Sequence, residues 1–250
     1  MIQIRLKSRL WRLRRFKLLQ PLVKRLEHVG WKRYCPVCER HFSHFDAFSV
    51  SPLPPRADAQ CPNCGALERD RFAYLILTKR IKSWDRLAKP LLHVAPEPVF
   101  HKLFRQQLAE RYVTADLNRT DVDIQMDITK IPFPNEYFGA IYCSHVLEHV
   151  VDDRIAIKEF RRVLERNGWA LLNVPITAEM TFEDPTVTEP QERLRLFGQE
   201  DHVRRYGADF INRLVDAGFT PTKISPEDLL TQTEIITMGL CLAGDMFLCR

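Results

Sequence analysis

From residue 90 onward, short apolar runs alternate with stretches in which apolar residues recur every three or four positions. Runs of the first kind predict β-strands, and stretches of the second kind predict amphipathic helices. Because the two kinds alternate, we expect an α/β domain, with a mainly parallel sheet covered by helices on both faces. The predicted strands are 91–95, 112–115, 122–126, 140–144 and 169–174, and the predicted helices are 99–110, 153–166 and 203–217.

The first 34 residues have a different pattern, in which basic residues fill the gaps of an apolar helical repeat. Residues 1–34 carry eleven lysines and arginines and one acid, Glu27, whereas the other 216 residues carry 26 basic and 31 acidic side chains. This pattern predicts a basic amphipathic helix that restarts at Pro21 and stops at Gly30. Such a helix binds an anionic membrane surface through residues 1–30, attracts nucleic acid, or packs on its own protein, and the sequence leaves all three open.

Four of the seven cysteines form two Cys-x-x-Cys pairs separated by 22 residues. This spacing is typical of a zinc ribbon over residues 35–66, in which a closed set of four thiolates holds a structural zinc ion. His41 and His44 could replace the second pair, but that pair would then have no role. The predicted ligands are Cys35, Cys38, Cys61 and Cys64, and a helix in 67–89 links the ribbon to the sheet.

The overall composition is that of an ordinary globular protein, with 45% hydrophobic and 28% charged residues, which excludes a disordered tail, a collagen and a coiled coil. The paired cysteines are of the metal-binding kind, and the sequence shows neither a membrane-spanning run nor a secretory signal. These features predict a cytoplasmic protein. It would be associated with the membrane if the basic helix binds there.

Parallel sheets bind ligands beyond the carboxyl ends of their strands. The first strand is followed by Ala95, Pro96 and Glu97, and the chain contains no Gly-x-Gly, which argues against a pyrophosphate cofactor and a phosphate-binding loop. Asp116 follows the second strand, about 20 residues past the first turn, where such folds bind ribose hydroxyls. Asp127 follows the third strand and either accepts from an adenine amino group or caps a turn.

The fourth strand runs into a His-x-x-Glu-His pattern at His145–His149. On a helix this pattern holds zinc in metalloproteases. Here it follows directly on a hydrophobic strand, which favours a pocket rim or packing over a protease site.

These motifs resemble those of class I S-adenosylmethionine-dependent methyltransferases of type 11. The resemblance rests on LLHVAPEP, VTADLN, MDITKIPFPNEYFGAIYCSHVLEHV and RRVLERNGWALLNVP. More narrowly, CPVC, CPNCGALERDR and EDPTVTEPQERLRLFGQEDHVRRYG resemble a bacterial subgroup with an N-terminal zinc ribbon, so the resemblance covers residues 35–250. It implies a Rossmann-like doubly wound sheet whose last two strands, 219–225 and 245–249, form a hairpin with the final strand antiparallel.

The resemblance also implies S-adenosylmethionine as the cofactor and assigns roles to residues at the strand ends. His93, Ala95 and Glu97 would lie beside its methionine part, Asp116 would hold the ribose, Leu117, Asp127 and Ile128 would contact the adenine, and Cys143, Ser144 and His145 would close the pocket near the sulfur. Four positions depart from the family pattern. His93 replaces an acid, Ala95 and Glu97 replace glycines, and Gly139 replaces a common Asp.

The resulting prediction is a methyltransferase acting on a small-molecule, glycan or lipid-linked acceptor. An RNA methyltransferase and an inactive scaffold of the same fold are the alternatives. A histidine is the plausible base at neutral pH, with His145 the first candidate and His149 the second, and His202 and Tyr206 are candidates for substrate contact. The predicted domains are 1–34, 35–66, 67–89 and 90–250, and the insert at 175–200 is long enough to cover the acceptor.

Overall fold

The computed structural model describes residues 27–50 and 54–250. Their contacts divide the chain into two units. The ribbon unit consists of the described residues up to Arg80 together with Leu229–Ala243, and the sheet unit consists of Ile81–Asp228 and Gly244–Arg250. Most of the predicted basic helix lies outside the described residues, so its membrane, nucleic-acid and packing roles stay predictions. The predicted domain limits also stay predictions, although the packing places 229–243 apart from the rest of 90–250.

The ribbon unit is built from two short antiparallel hairpins and two helices. Strands β1 (Arg33–Cys35) and β2 (Arg40–Phe42) form the first hairpin, and β3 (Asp46–Phe48) pairs with β4 (Arg56–Gln60). Helix α1 (Glu68–Leu75) continues into a π-helical segment, Ile76–Ile81. Each Cys-x-x-Cys pair therefore begins at or just after the end of a strand.

Arg71 is fully buried in the ribbon unit and binds four backbone carbonyls. Its guanidinium donates to Ala59 O at 2.9 Å and Ala66 O at 2.6 Å, on either side of the second cysteine pair. It also donates to Met238 O at 2.8 Å and Gly239 O at 2.9 Å. A charged side chain is tolerated in a core when hydrogen bonds replace its lost hydration. This one residue thus ties segment 229–243, which contains helix α6 (Gln232–Thr237), to the ribbon.

The sheet unit contains a seven-stranded sheet in the order β13-β14-β9-β8-β5-β6-β7. Only β14 runs antiparallel to its neighbours within this sheet, while the other pairings are parallel. The predicted fold class, a Rossmann-like doubly wound sheet with its last strand antiparallel, is confirmed. Its strands are β5 (Leu91–Val94), β6 (Tyr112–Asp116), β7 (Ile124–Gln125), β8 (Phe138–Ser144), β9 (Leu164–Asn173), β13 (Pro221–Ile224) and β14 (Met246–Cys249).

Helices pack on this sheet through narrow apolar faces. Helix α2 (Pro98–Leu108) buries Phe100 and Phe104, and α3 (Asp153–Val163) buries Ile157 and Phe160. Every residue of β5 and β8 is buried, as expected for central strands covered on both sides. The strand order reverses at β5, which has β6 on one side and β8 on the other. Open α/β sheets bind their ligands beyond the carboxyl ends of the strands at such a switch point.

The insert forms a small structured layer of its own. It contains β10 (Ile176–Ala178), β11 (Phe182–Glu183) and α4 (Pro190–Phe197), and β12 (Arg204–Gly207) lies between β10 and β11. The predicted helix 203–217 is therefore wrong in its first half, because Arg204–Gly207 pairs in this sheet, and α5 runs from Phe210 to Asp216.

An ion cluster whose members are buried except for Glu183 fixes the insert to α3. Arg213 donates to Asp153 Oδ1 at 2.6 Å and to Glu183 Oε1 at 2.9 Å, and Arg204 donates to Glu183 Oε2 at 2.8 Å. The Tyr206 hydroxyl donates to Asp153 Oδ2 at 2.5 Å. Tyr206 is fully buried by this arrangement, so the prediction that it contacts substrate is wrong.

Across the described part of the chain, no helix has both the length and the apolar character that crossing a bilayer requires.

Candidate functional site

The turn after β5 has a left-handed backbone conformation, which glycine usually adopts, although this turn contains Ala95. Ala95 has φ +50°, in the left-handed region that favours glycine, and its N–H donates to Ala115 O at 2.8 Å. The chain leaves β5 in this strained turn, and Pro98 then starts helix α2. The left-handed turn is thus formed although the residue there is an alanine.

We expect Ala95→Gly to raise the free energy of unfolding by about 0.5–1 kcal/mol, because relief of the left-handed strain outweighs the larger backbone entropy of glycine in the unfolded chain. Urea unfolding of the two proteins measures this change. Ala156→Gly, in the middle of α3, is the matched control and should lower the stability by about 1 kcal/mol or more. A loss of stability in Ala95→Gly would show that the methyl group makes contacts worth more than the strain.

His93 is fully buried and holds Glu97 in place. Its Nδ1 lies 2.8 Å from the Tyr112 hydroxyl, and its Nε2 lies 2.7 Å from Glu97 Oε2. Burial raises the pKa of Tyr112, so the phenol stays protonated and donates to Nδ1, which leaves the Nε2 proton for Glu97. His93 therefore positions the carboxylate of Glu97, four residues further along the chain.

Three buried polar atoms without a hydrogen-bond partner among the described residues lie at the ends of adjacent strands. They are Glu97 Oε1 after β5, Ser144 Oγ at the end of β8 and Asn173 Nδ2 at the end of β9. Ser144 and Asn173 are direct partners in the sheet, and Val94 pairs with Cys143. An unmet buried polar atom costs about 1–3 kcal/mol, so each of these three atoms is available to a polar ligand.

Asp116 and Asp127 each use one carboxylate oxygen to shape a turn. Asp116 Oδ1 accepts from the backbone N–H groups of Asn118 at 2.8 Å and Arg119 at 2.9 Å. Asp127 Oδ1 accepts from Thr129 N at 2.8 Å. In both residues Oδ2 accepts no hydrogen bond from a described residue and remains available to a ligand hydroxyl or amine.

The apolar neighbours of these aspartates differ in exposure. Leu117 is 61% exposed beside Asp116, whereas Ile128 is buried beside Asp127. An exposed leucine next to a carboxylate suits contact with the flat face of a base, and Ile128 instead belongs to the hydrophobic core of the sheet unit. Leu117 therefore lies at the protein surface and Ile128 in the core, and their predicted contacts with an adenine stay predictions.

The two histidines proposed as bases both have a carboxylate neighbour. His145 follows β8 with φ +54°, and its Nδ1 lies 3.3 Å from Glu148 Oε1. His149 Nδ1 lies 3.2 Å from Asp201 Oδ2. Both rings are about one-third exposed, which suits a proton acceptor that meets substrate.

Cys143 and Glu148 are buried next to these histidines. Burial, followed by the charges of Glu148 and Glu97, raises the pKa of Cys143, so it is a neutral thiol that packs at the end of β8. Burial also acts to raise the pKa of Glu148, but its interaction with His145 brings that pKa below its usual value, so the carboxyl is ionised at neutral pH.

The His-x-x-Glu-His pattern does not form the metalloprotease arrangement. His145 is in a left-handed conformation and Leu147–His149 is a single 3₁₀ turn, so the two histidines do not share one face of an α-helix. Instead, Glu148 and His149 lie with His202 from the insert. Glu148 and Asn173 were missed from the sequence, and the signal that could have found them is a polar residue at or just after the end of a fully buried strand.

The four paired cysteines converge in the ribbon unit. Their sulfur atoms all lie within 4.8 Å of one another, with Cys35 to Cys64 at 3.6 Å and Cys38 to Cys61 at 3.7 Å. A tetrahedron of Zn–S bonds has S···S edges of about 3.8 Å, whereas a disulfide is about 2.05 Å, so the geometry fits a metal ion. Hydrogen bonding with Cys38 and the other cysteines raises the pKa of Cys35, and a bound cation would favour its thiolate form.

Each cysteine pair ends in the same backbone turn. Glu39 follows the first pair with φ +54°, and Gly65 follows the second with φ +79°. Gly65 N donates to Cys61 O at 2.9 Å, which closes the second turn around its sulfur atoms. Two short strands thus present two similar turns to one cluster of four sulfur atoms.

Comparison with known proteins places a methyltransferase pattern on the first half of the sheet unit. Residues 80–172 match a family model described as a methyltransferase domain. Over 74 residues the chain is 34% identical to the uncharacterized methyltransferase YcgJ of Bacillus subtilis (strain 168), a stretch that makes up 30% of this chain and 28% of that protein. The chain thus spans little more than a quarter of the length of this curated relative.

Several solved structures also align with the chain at low sequence identity. The crystal structure of YcgJ aligns with a TM-score of 0.43 at 16% identity, covering 71% of this chain and 94% of YcgJ. A SAM-dependent methyltransferase from Archaeoglobus fulgidus aligns at 0.44 and 12% identity, covering 71% and 92%. Geranyl diphosphate C-methyltransferase from Streptomyces coelicolor aligns at 0.44 and 12% identity, covering 73% and 78%.

Proposed function

We propose that this protein is an S-adenosylmethionine-dependent methyltransferase that acts on a small-molecule, glycan or lipid-linked acceptor. The observation that carries the proposal is the group of unmet polar atoms at the ends of β5, β8 and β9, beside the free oxygen of Asp116. These atoms lie at the switch point of the sheet, where such folds bind their ligands. The methyltransferase family match over residues 80–172 supports the same assignment.

The unmet atoms suit the chemical groups of this cofactor one by one. Asp116 Oδ2 would accept from the ribose hydroxyls and Asp127 Oδ2 from the adenine amino group. Glu97 Oε1 would accept from the α-ammonium group, and Asn173 Nδ2 would donate to the α-carboxylate. When bound, S-adenosylmethionine supplies a methyl group on a positively charged sulfur atom.

The contribution of the chain to the reaction is alignment and, for a hydroxyl acceptor, proton removal. The buried ends of β8 and β9 exclude water, and the fixed strand ends position the reacting groups, which provides most of the rate in a transfer of this kind. His145 would take the acceptor proton, and the charge of Glu148 stabilises its protonated ring.

We also propose a structural zinc ion bound by Cys35, Cys38, Cys61 and Cys64. Four sulfur atoms at tetrahedral spacing support this, and four protein ligands leave no position for water. The ion would stabilise the part of the ribbon unit around the cysteines, where the strands are only three to five residues long.

Calorimetric titration with S-adenosylmethionine and S-adenosylhomocysteine tests the cofactor assignment. We expect saturable binding of both at about one molecule per chain, and no saturable binding of ATP or NAD⁺, because the turn after β5 is not a phosphate-binding loop. Absence of binding at millimolar S-adenosylmethionine would overturn the proposal.

A second candidate is a protein that binds the cofactor or another ligand without transferring a methyl group. It is favoured by Glu97, whose carboxylate lies where related chains have a glycine and is held by His93. Formation of S-adenosylhomocysteine from S-adenosylmethionine with pooled small-molecule, glycan and lipid fractions separates the two. Binding without product in every fraction would support the second candidate.

A further inference from the structure

A second group of metal-ligating side chains lies in the sheet unit, apart from the four cysteines. One donor atom from each of Glu148, His149 and His202 lies within 4.8 Å of the other two. Glu148 and His202 are buried, at 1% and 6% exposure, while His149 is partly exposed. None of the three is among the residues proposed to hold the cofactor.

Both histidines have the outer contact that is typical of metal ligands. His202 Nδ1 donates to Phe197 O at 3.3 Å, and His149 Nδ1 lies 3.2 Å from Asp201 Oδ2. A proton held on Nδ1 by an oxygen atom leaves the lone pair of Nε2 free to bind a metal. The two rings are also close, with centroids 4.7 Å apart in an edge-to-face arrangement.

Glu148 supplies the negative charge that two neutral imidazoles lack. Neither of its carboxylate oxygens accepts a hydrogen bond of ordinary geometry from the described residues, although Oε1 lies 3.3 Å from His145 Nδ1. A buried carboxylate with unmet oxygens is costly, and a bound cation would offset that cost. Its backbone is fixed as well, since Val203 N donates to Glu148 O at 2.9 Å and so brings the insert residue His202 alongside.

We propose that Glu148, His149 and His202 bind one divalent transition metal ion such as Zn²⁺ or Co²⁺. Two imidazoles and one carboxylate suit this class of ion, in contrast to the all-thiolate set of the ribbon. Three protein ligands leave at least one coordination position open, as in sites that bind water or substrate. If the proposed methyl transfer is correct, that position takes an oxygen atom of the acceptor, and His149 is then a ligand, which leaves His145 as the base.

Titration with Co²⁺ of the purified full chain, prepared with one zinc ion per chain so that only the cysteines are occupied, tests the site. Co²⁺ bound by nitrogen and oxygen gives visible d–d bands without the sulfur charge-transfer band that a thiolate site produces, so the two sites are separated by their spectra. We expect about one such Co²⁺ per chain, and an affinity lowered by about 100-fold in both His149→Gln and His202→Gln. His101→Gln, a histidine of the same unit outside the cluster, is the matched control and should bind as the wild type does.

Because His202 is buried, thermal unfolding is used to check that His202→Gln folds. If it does not fold, the test rests on His149→Gln, since His149 is partly exposed. Wild-type protein that binds no Co²⁺ below about 1 mM, or a His149→Gln variant that binds it unchanged, would overturn the site. The measurement needs no S-adenosylmethionine. If the protein binds Co²⁺ but not S-adenosylmethionine, the metal site is supported and the proposed methyltransferase function is contradicted.

Discussion

Cys61→Ser is expected to abolish the thiolate-bound zinc and to unfold the ribbon unit. The serine hydroxyl is a poor zinc ligand at neutral pH, and the remaining three sulfur atoms cannot close the tetrahedral set. Binding of a structural zinc ion contributes about 10–16 kcal/mol to small zinc domains, which exceeds the stability of most domains. The short hairpins of this unit offer little to replace it.

The readout is the sulfur-to-metal charge-transfer band of Co²⁺-substituted protein together with zinc content after dialysis. Cys241→Ser is the matched control, since Cys241 lies in the same unit but is exposed and outside the cluster. The control should keep the band and the zinc. A Cys61→Ser protein that retains both would show that the four cysteines do not hold a metal ion.

The central strands of the fold could be predicted from the sequence, because β5 and β8 are buried at every position and appear as unbroken apolar runs. The limits of β9 could not be predicted. Leu164 leaves α3 and enters the strand at once, pairing with Phe138, whereas the apolar run starts only at Trp169. The residues between Leu164 and Trp169 are mainly charged or polar, so the hydrophobic pattern does not indicate a strand there.

In the insert and in segment 229–243, tertiary contacts rather than the local sequence pattern determine the structure. Arg204–Gly207 looks helical beside 210–217, yet it forms a strand because β10 and β11 flank it and Arg204 is bound by Glu183. Thr231 and Glu234 form a capping box that is readable in the sequence. The docking of that helix through Arg71 depends on carbonyls about 170 residues away and has no local signal.

Only the part of the candidate site that depends on local sequence features could be predicted. Cysteine spacing and strand ends are local features, so the four sulfur atoms and the two aspartates could be named in advance. Glu148 and His202 lie 54 positions apart and are brought together by the insert. The hydrogen bond by which His93 holds Glu97 depends on the position of Tyr112. Neither arrangement could be predicted from the local sequence.

Asp116→Asn is expected to lower the affinity for S-adenosylmethionine by about 30- to 1000-fold while leaving the fold intact. The asparagine carbonyl oxygen can still accept from the backbone N–H groups of Asn118 and Arg119, so the turn is kept. Its amide nitrogen cannot accept from a hydroxyl, so one or two charge-assisted hydrogen bonds of about 1.5–3 kcal/mol each are lost. Each 1.4 kcal/mol corresponds to about a factor of ten in affinity.

Calorimetry with two ligands distinguishes loss of ribose binding from a general defect. Asp116→Asn should weaken S-adenosylmethionine and 5′-methylthioadenosine alike, because both contain the ribose. Glu97→Gln should weaken S-adenosylmethionine but not 5′-methylthioadenosine, which lacks the ammonium group that Glu97 Oε1 would meet. Asp121→Asn, an exposed carboxylate in the same loop that pairs with Arg119, is the matched control and should leave both affinities unchanged. If Asp116→Asn binds both ligands as tightly as the wild type does, the crevice at the end of β6 does not hold an adenosine, and the proposed function loses its main support.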